Sequence, residues 1–175
     1  SGTISNISAV SGTSFKLPSS GFTYNIEGYD GTLVGWNTKK DGSGDSYTLG
    51  QTVKNLSNKG NGVVTLYAQW KVVEHKYSLT YVLNKNGAKN SESNPSYYTI
   101  SDVKNGEMKL YDATLKGYSF KGWSTTADGK NIITGLPKYD KAKGLKNYML
   151  YGVWEAKVYT IKYIGDTNAK NRETY

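Results

Sequence analysis

Three clusters in this 175-residue chain hold side chains that could do chemistry. The lone His75 stands beside Glu74, and a histidine next to a carboxylate is raw material for a general base or a metal ligand. No second His and no Cys accompanies it, so a thiolate or multi-histidine zinc centre is not expected, and a solvent-exposed linker histidine is the plainer reading. Asp41-Gly42-Ser43-Gly44-Asp45 gathers the oxygen donors that hard cations prefer. An EF-hand-type loop would need Gly at its sixth position and Glu at its twelfth, where this chain has Ser46 and Thr52, so a turn between strands accounts for it better. The third cluster is basic: Lys138, Lys141, Lys143 and Lys146 fall within residues 137–147, with Asp140 partly offsetting them. A solvated loop is the ordinary reading. The functional alternative is salt-sensitive contact with a glycan or polyanion, helped by the tyrosines expected on exposed strand faces, Tyr67, Tyr97, Tyr98 and Tyr151.

The elements that must carry these residues come in near-duplicate. Leu33-Val34-Gly35-Trp36-Asn37-Thr38 returns as Phe120-Lys121-Gly122-Trp123-Ser124-Thr125, and each copy runs on to an Asp-Gly turn. Thr65-Leu66-Tyr67-Ala68-Gln69-Trp70 returns as Met149-Leu150-Tyr151-Gly152-Val153-Trp154, and residues 7–17 match 100–110. A third match joins Tyr77-Ser78-Leu79-Thr80-Tyr81-Val82 to Tyr159-Thr160-Ile161-Lys162-Tyr163-Ile164. The chain therefore divides into a first repeat without its opening strand (1–71), a complete second repeat (72–156) and the opening strand of a third (157–175). A unit that works by being copied contributes spacing and surface more readily than a unique pocket.

Composition narrows the classes further. The net charge is +8, yet Arg172 is the only arginine among 22 basic residues. Lysine is a hydrated point charge without the planar fork that reads phosphates and base edges, so nucleic acid is not an expected partner. No apolar run is long enough to span a bilayer, and direct membrane insertion is not expected. Leu17-Pro18-Ser19-Ser20-Gly21 has a superficial likeness to a wall-sorting signal but lacks the hydrophobic segment and basic tail such a signal requires. No paired carboxylates, phosphate-cradling loop or cofactor fingerprint emerges, so neither catalysis nor a cofactor is expected.

Alternation of apolar and polar residues predicts strands near 5–10, 13–17, 32–37, 63–71, 77–84, 96–101, 107–111, 119–124, 148–155 and 158–164. Helical content should be limited to one or two turns within each of 51–57 and 140–145. Sixteen Tyr and four Trp supply much of the apolar surface. Gly35-Trp36, Trp70, Gly122-Trp123 and Trp154, placed alike in both copies, are expected to form the repeat core.

The run Gly35-Trp36-Asn37-Thr38, then Asp41-Gly42-Ser43-Gly44, then residues 65–70 resembles the Listeria–Bacteroides repeat, a family related to the B repeat of internalin-type proteins. The second copy is looser, with Gly152-Val153 in place of Ala68-Gln69. The resemblance implies mainly-β, β-grasp-like (small α+β) modules in tandem on an extracellular or wall-attached bacterial protein, commonly as adhesin stalks, with no shared catalytic residues. Neighbouring repeats of the same protein are the expected partners, and a host or wall polysaccharide is the partner only of the alternative reading, in which the Lys-rich loop and exposed tyrosines bind it. An unpaired opening strand in 157–175 is expected to associate, either with the first-copy sheet of a neighbouring molecule or with the edge of the second module.

Overall fold

The structure, a computed structural model, describes residues 4–164. Its strands are β1 (Ser14–Lys16), β2 (Tyr29–Asn37), β3 (Ser46–Tyr47), β4 (Thr52–Lys54), β5 (Tyr67–Glu74), β6 (Tyr77–Val82), β7 (Tyr97–Tyr98), β8 (Met108–Lys109), β9 (Tyr118–Ser124), β10 (Ile132–Ile133), β11 (Gly135–Leu136) and β12 (Tyr148–Ala156). One four-residue helix, α1 (Ile100–Val103), interrupts them. The fold class is mainly β, as the alternation requires.

The chain gathers into two compact units that are discontinuous in sequence. One contains residues up to Ser78 together with Tyr97–Met108 and Pro137–Asn147; the other contains Leu79–Ser96, Lys109–Leu136 and the chain from Tyr148.

In the first unit β5, β2 and β3 form an antiparallel sheet in the order β3-β2-β5, and β1 pairs with β4. Leu17, Trp36 and Val53 are its buried centre, with Phe15, Phe22, Leu33, Tyr47 and Leu66 packed around them. In the second unit β9 lies between β10 and β12, both antiparallel to it, and β6 adds to the far edge of β12 in parallel. Trp123, Leu136 and Leu150 are its most buried large side chains.

The two sheets share their register residue for residue. Asn37 faces Tyr67, Gly35 faces Gln69 and Leu33 faces Trp70; correspondingly Ser124 faces Tyr151, Gly122 faces Val153 and Phe120 faces Trp154. Both ladders skip one residue, Val34 in one and Lys121 in the other, directly before the glycine. A bulge at a fixed place re-aims the strand and sharpens its twist.

The glycine after the bulge is explained by what lies beside it. A Cβ on Gly35 would stand 2.7 Å from the Tyr47 carbonyl oxygen, and one on Gly122 would meet Ile132 at 2.6 Å and the Ile133 carbonyl oxygen at 3.3 Å. Absence of a side chain lets the short third strand close against the Gly-Trp strand in both copies.

Several expected elements differ. Residues 5–10 form no strand, and Ile7 and Val10 are exposed. Residues 51–57 supply β4 rather than a helical turn. The expected strand over 96–101 is split into β7 and α1, because Asp102 reaches back to the Thr99 backbone N–H (2.7 Å) and takes the Thr99 hydroxyl (3.0 Å), which starts a helix. Residues 140–144 do make one turn, with the Gly144 N–H donating to the Asp140 carbonyl at 3.0 Å. Residues 158–164 form no strand and do not pair with the edge of the second sheet; those beyond 164 lie outside the described residues.

Candidate functional site

The junction after β5 is built from carboxylates. Glu27, just before β2, accepts a hydrogen bond from the Tyr139 hydroxyl at 2.8 Å and from the Leu145 backbone N–H at 2.7 Å. Glu74, the last residue of β5, accepts from the Ser101 hydroxyl. That bond, then one from Thr99, and the nearby Lys104 charge hold the Glu74 carboxyl below the usual glutamate range. Gly28 has φ +84° and lies so close to Ile100 of α1 that a Cβ would approach Ile100 to 2.9 Å. Its carbonyl accepts from the His75 backbone N–H at 2.9 Å. Glu27 and Gly28 from first-repeat sequence, and Glu74 at the end of β5, thus engage a helix and a loop from second-repeat sequence, all inside one compact unit.

His75 is part of this junction. Its Nδ1 lies 2.9 Å from both carboxylate oxygens of Asp30, and its ring sits edge-on to Tyr77 at 4.6 Å between centroids. No nucleophile is hydrogen-bonded to the ring among the described residues, and the geometry is that of a brace between β2 and the start of β6. No group of three or more His, Asp or Glu is placed to hold a metal among the described residues.

The basic loop is tied down at its backbone while its charges face solvent. The Tyr98 hydroxyl donates to the Lys146 carbonyl at 2.7 Å, the Tyr139 N–H bonds the Val103 carbonyl at 2.8 Å, and the Asp140 carboxylate takes the Ala142 N–H at 2.9 Å. Lys138, Lys141, Lys143 and Lys146 are all exposed. Asp140 is therefore engaged as a turn former, and the side chains of Lys138, Lys141 and Lys143 have no ion-pair partner among the described residues.

The tyrosines expected beside them fare differently. Tyr98 is 2% exposed, so it is a core residue and not a contact residue; its hydroxyl fastens the loop and its ring lies against Tyr77. Tyr97 is exposed, with the Lys76 ammonium 4.2 Å from its ring centroid. Tyr151 is half-buried in the second unit and reaches the sulfur of Met149 at 3.0 Å, while Tyr67 is exposed at the start of β5. The structure therefore brings the four lysines onto one loop but does not assemble the tyrosines around them.

The repeat tryptophans separate into pairs. Trp36 (4% exposed) and Trp123 (1%) are core, and their indole N–H groups donate to equivalent carbonyls, Pro18 at 2.8 Å and Tyr111 at 2.9 Å. Leu17-Pro18 is thus core and acceptor for Trp36, which explains that stretch without a sorting role. Trp70 and Trp154 are half-buried. Trp154 donates to the Leu83 carbonyl at 2.7 Å; Trp70 lies against Tyr24 at 5.4 Å.

Two residues that pattern reasoning passed over, Asn37 and Ser124, are the fully buried polar side chains among the described residues. Asn37 donates to the Gly42 and Gly44 carbonyls and to Ser46, and accepts from the N–H groups of Lys39 and Gly44. It organises the Asp-Gly turn from within, and this explains the oxygen-rich sequence there. Asp41 carries its charge against the Ser43 N–H and hydroxyl, which lower its pKa. The signal available in sequence was the position directly after Gly-Trp.

These features define a class: tandem mainly-β repeats with a duplicated sheet and no assembled chemical centre among the described residues. The Listeria–Bacteroides repeat domain matches residues 1–69 and again 77–151, and the chain belongs to that family. A protein of Evansella cellulosilytica bearing the provisional name Gly-rich membrane protein is 34% identical over 137 residues, covering 78% of this chain and 14% of its own length. A second protein of that organism, provisionally named a membrane protein, is 49% identical over 39 residues, covering 22% of this chain and 5% of its own length. The chain thus spans a small fraction of the relatives it matches. No solved structure matches it. No helix among the described residues is long and apolar enough to cross a membrane.

Proposed function

We propose that this chain is a non-catalytic repeat segment of a bacterial cell-surface protein, acting as a stalk or spacer in adhesion, with repeats at 1–71 and 72–156 and a third opening at 157–175. The observation that carries this reading is the junction. Glu27 fastens first-repeat sequence to residues 137–147 of the second repeat, and Glu74, at the start of the second repeat, ties the end of β5 to α1, so successive repeats interlock instead of hanging on a free linker. The parallel pairing of β6 with β12, an opening strand against a closing strand, supports a β-grasp-like module. The names of the relatives as membrane proteins support a parent at the cell envelope.

Stretching residues 1–175 between handles in a single-molecule force experiment tests the spacer reading. Discrete unfolding steps are expected, each releasing about 3.3–3.6 Å of contour per residue. Smooth extension at negligible force, as a flexible linker gives, would overturn it.

A second reading has its own observation. The exposed Lys138, Lys141 and Lys143, with Asp140 already engaged, make the loop suited to a host or wall polysaccharide bearing negative charge. Heparin titration at low salt should saturate and weaken steeply as salt rises. Absence of saturable binding at low salt would remove this reading.

A further inference from the structure

Two β-turns meet in the second unit. Residues 85–88 are closed by the Ala88 N–H on the Lys85 carbonyl at 3.3 Å, and residues 115–118 by the Tyr118 N–H on the Leu115 carbonyl at 3.2 Å. The third residue of each turn is a glycine with positive φ, +78° at Gly87 and +81° at Gly117, where a side chain would be strained. Beside the turns, Lys89 and Thr114 exchange both backbone hydrogen bonds, at 2.9 and 2.8 Å. The Lys85 ammonium lies 4.8 Å from the centre of the Tyr118 ring, and the Lys157 N–H donates to the Gly117 carbonyl at 2.9 Å. Backbone bonds thus hold the turns side by side and collect the lysines they carry.

Lys85, Lys89, Lys116 and Lys157 are all exposed, and none has an ion-pair partner among the described residues. The carboxylate two residues before Lys157, Glu155, is already held by Lys121 at 2.9 Å. An open depression of about 400 Å³ lies between the turns, lined by Gly87, Lys89, Thr114, Leu115 and Lys116, with no carboxylate in its wall. Like charges around a concave surface reinforce one another, and here the folded chain leaves them unneutralised. The charge is all lysine: no arginine stands among the described residues to supply the planar fork that reads phosphates and base edges. One face of the Tyr118 ring is taken by Lys85, which closes it to a stacking base.

We propose that this pair of turns binds an acidic polysaccharide, a sugar chain carrying sulfate, phosphate or carboxylate groups, with Lys89 and Lys116 in contact and Lys85 and Lys157 flanking them. An open depression suits a chain laid across it better than an enclosed small molecule. Lysine is a point charge on a flexible stem and tolerates varied spacing between anionic groups, so the contact is electrostatic and salt-sensitive. The site lies wholly within the second unit, whereas residues 137–147 belong to the first, so each basic segment can be removed without the other.

Nuclear magnetic resonance of the isotope-labelled full chain tests this, with dextran sulfate as probe and uncharged dextran of equal length as its control. Dextran sulfate should give saturable amide shifts at Gly87, Lys89, Thr114, Lys116 and Gly117, and uncharged dextran should give none. Affinity should fall roughly tenfold or more between 50 and 200 mM salt. Lys89→Gln combined with Lys116→Gln should abolish the shifts and leave the thermal midpoint unchanged, because both side chains are exposed and the backbone bonds remain. Lys138→Gln, Lys141→Gln and Lys143→Gln together should leave the shifts intact, so failure of the loop reading is distinguished from failure of this site. No shift at these amides, shifts that survive the Lys89 and Lys116 substitutions, or an equal response to uncharged dextran would each overturn the proposal. Tighter binding of a thymidine oligonucleotide than of dextran sulfate at the same salt would overturn it too.

Discussion

Asn37 and Ser124 occupy the same place after the Gly-Trp pair, yet they do unequal work. Asn37 satisfies carbonyls and N–H groups on both sides of its turn, whereas the Ser124 hydroxyl donates to the Thr126 carbonyl and accepts from the Thr126 N–H at 3.1 Å. Removing a buried group that holds several backbone partners leaves those partners dry, at roughly 1–3 kcal/mol for each one unmade. Asn37→Ala should therefore destabilise by about 2–4 kcal/mol and Ser124→Ala by about half that, measured by denaturant midpoint. Equal losses would show that the turn, and not Asn37, sets its own shape. The tryptophans were legible because large aromatics repeated in register announce a core. Asn37 was not, because nothing in a polar side chain's identity reveals burial until its partners surround it.

At the scale of elements, the Gly-Trp bulge makes a sharper claim. Gly35→Ala would drive a methyl into the Tyr47 carbonyl, and Gly122→Ala would add the strain of φ +133° to a clash with Ile132. Both should cost about 1–3 kcal/mol, with Gly122→Ala the larger because backbone strain and crowding combine there. Thermal unfolding of the two variants side by side checks the order. Strand positions carrying repeated aromatics were legible from period-two alternation, but α1 was not. Tyr97-Tyr98-Thr99-Ile100 are all good strand formers, and the Thr99–Asp102 capping contact is a weak local signal that prevails only because Ile100 and Val103 find a core to enter.

The molecule as a whole has a pH signature. Glu74 is held below the ordinary glutamate pKa of 4.5 by Ser101 first and then Thr99. Its contribution is complete above that ordinary value and is lost as pH falls through the lowered one; Asp41 and Asp128 act in the same direction. Stability should therefore decline on acidification, and Glu74→Gln should flatten part of that decline in a series of denaturant midpoints against pH. At the alkaline end, burial pushes Tyr81 up to about 12. A raised tyrosine favours the folded state below its ordinary pKa of 10.0, and that preference is lost as pH climbs from there toward 12. Ultraviolet titration should show a late-ionising tyrosine that Tyr81→Phe removes.

By itself the sequence determined what is local and periodic: two copies of one sheet, their aromatic cores, and the family to which they belong. Side-chain alternation and copied spacing survive translation into strands because each depends only on neighbours along the chain or on the matching copy. Tertiary structure decided what depends on distant partners. It put Tyr98 inside, gave Glu27 and Glu74 to a helix and loop more than twenty residues away, and gathered the segments Tyr97–Met108 and Pro137–Asn147 with first-repeat sequence. The reason is physical: a carboxylate or a tyrosine reads the same in sequence whether it meets water or a backbone N–H, and only the folded chain chooses between them.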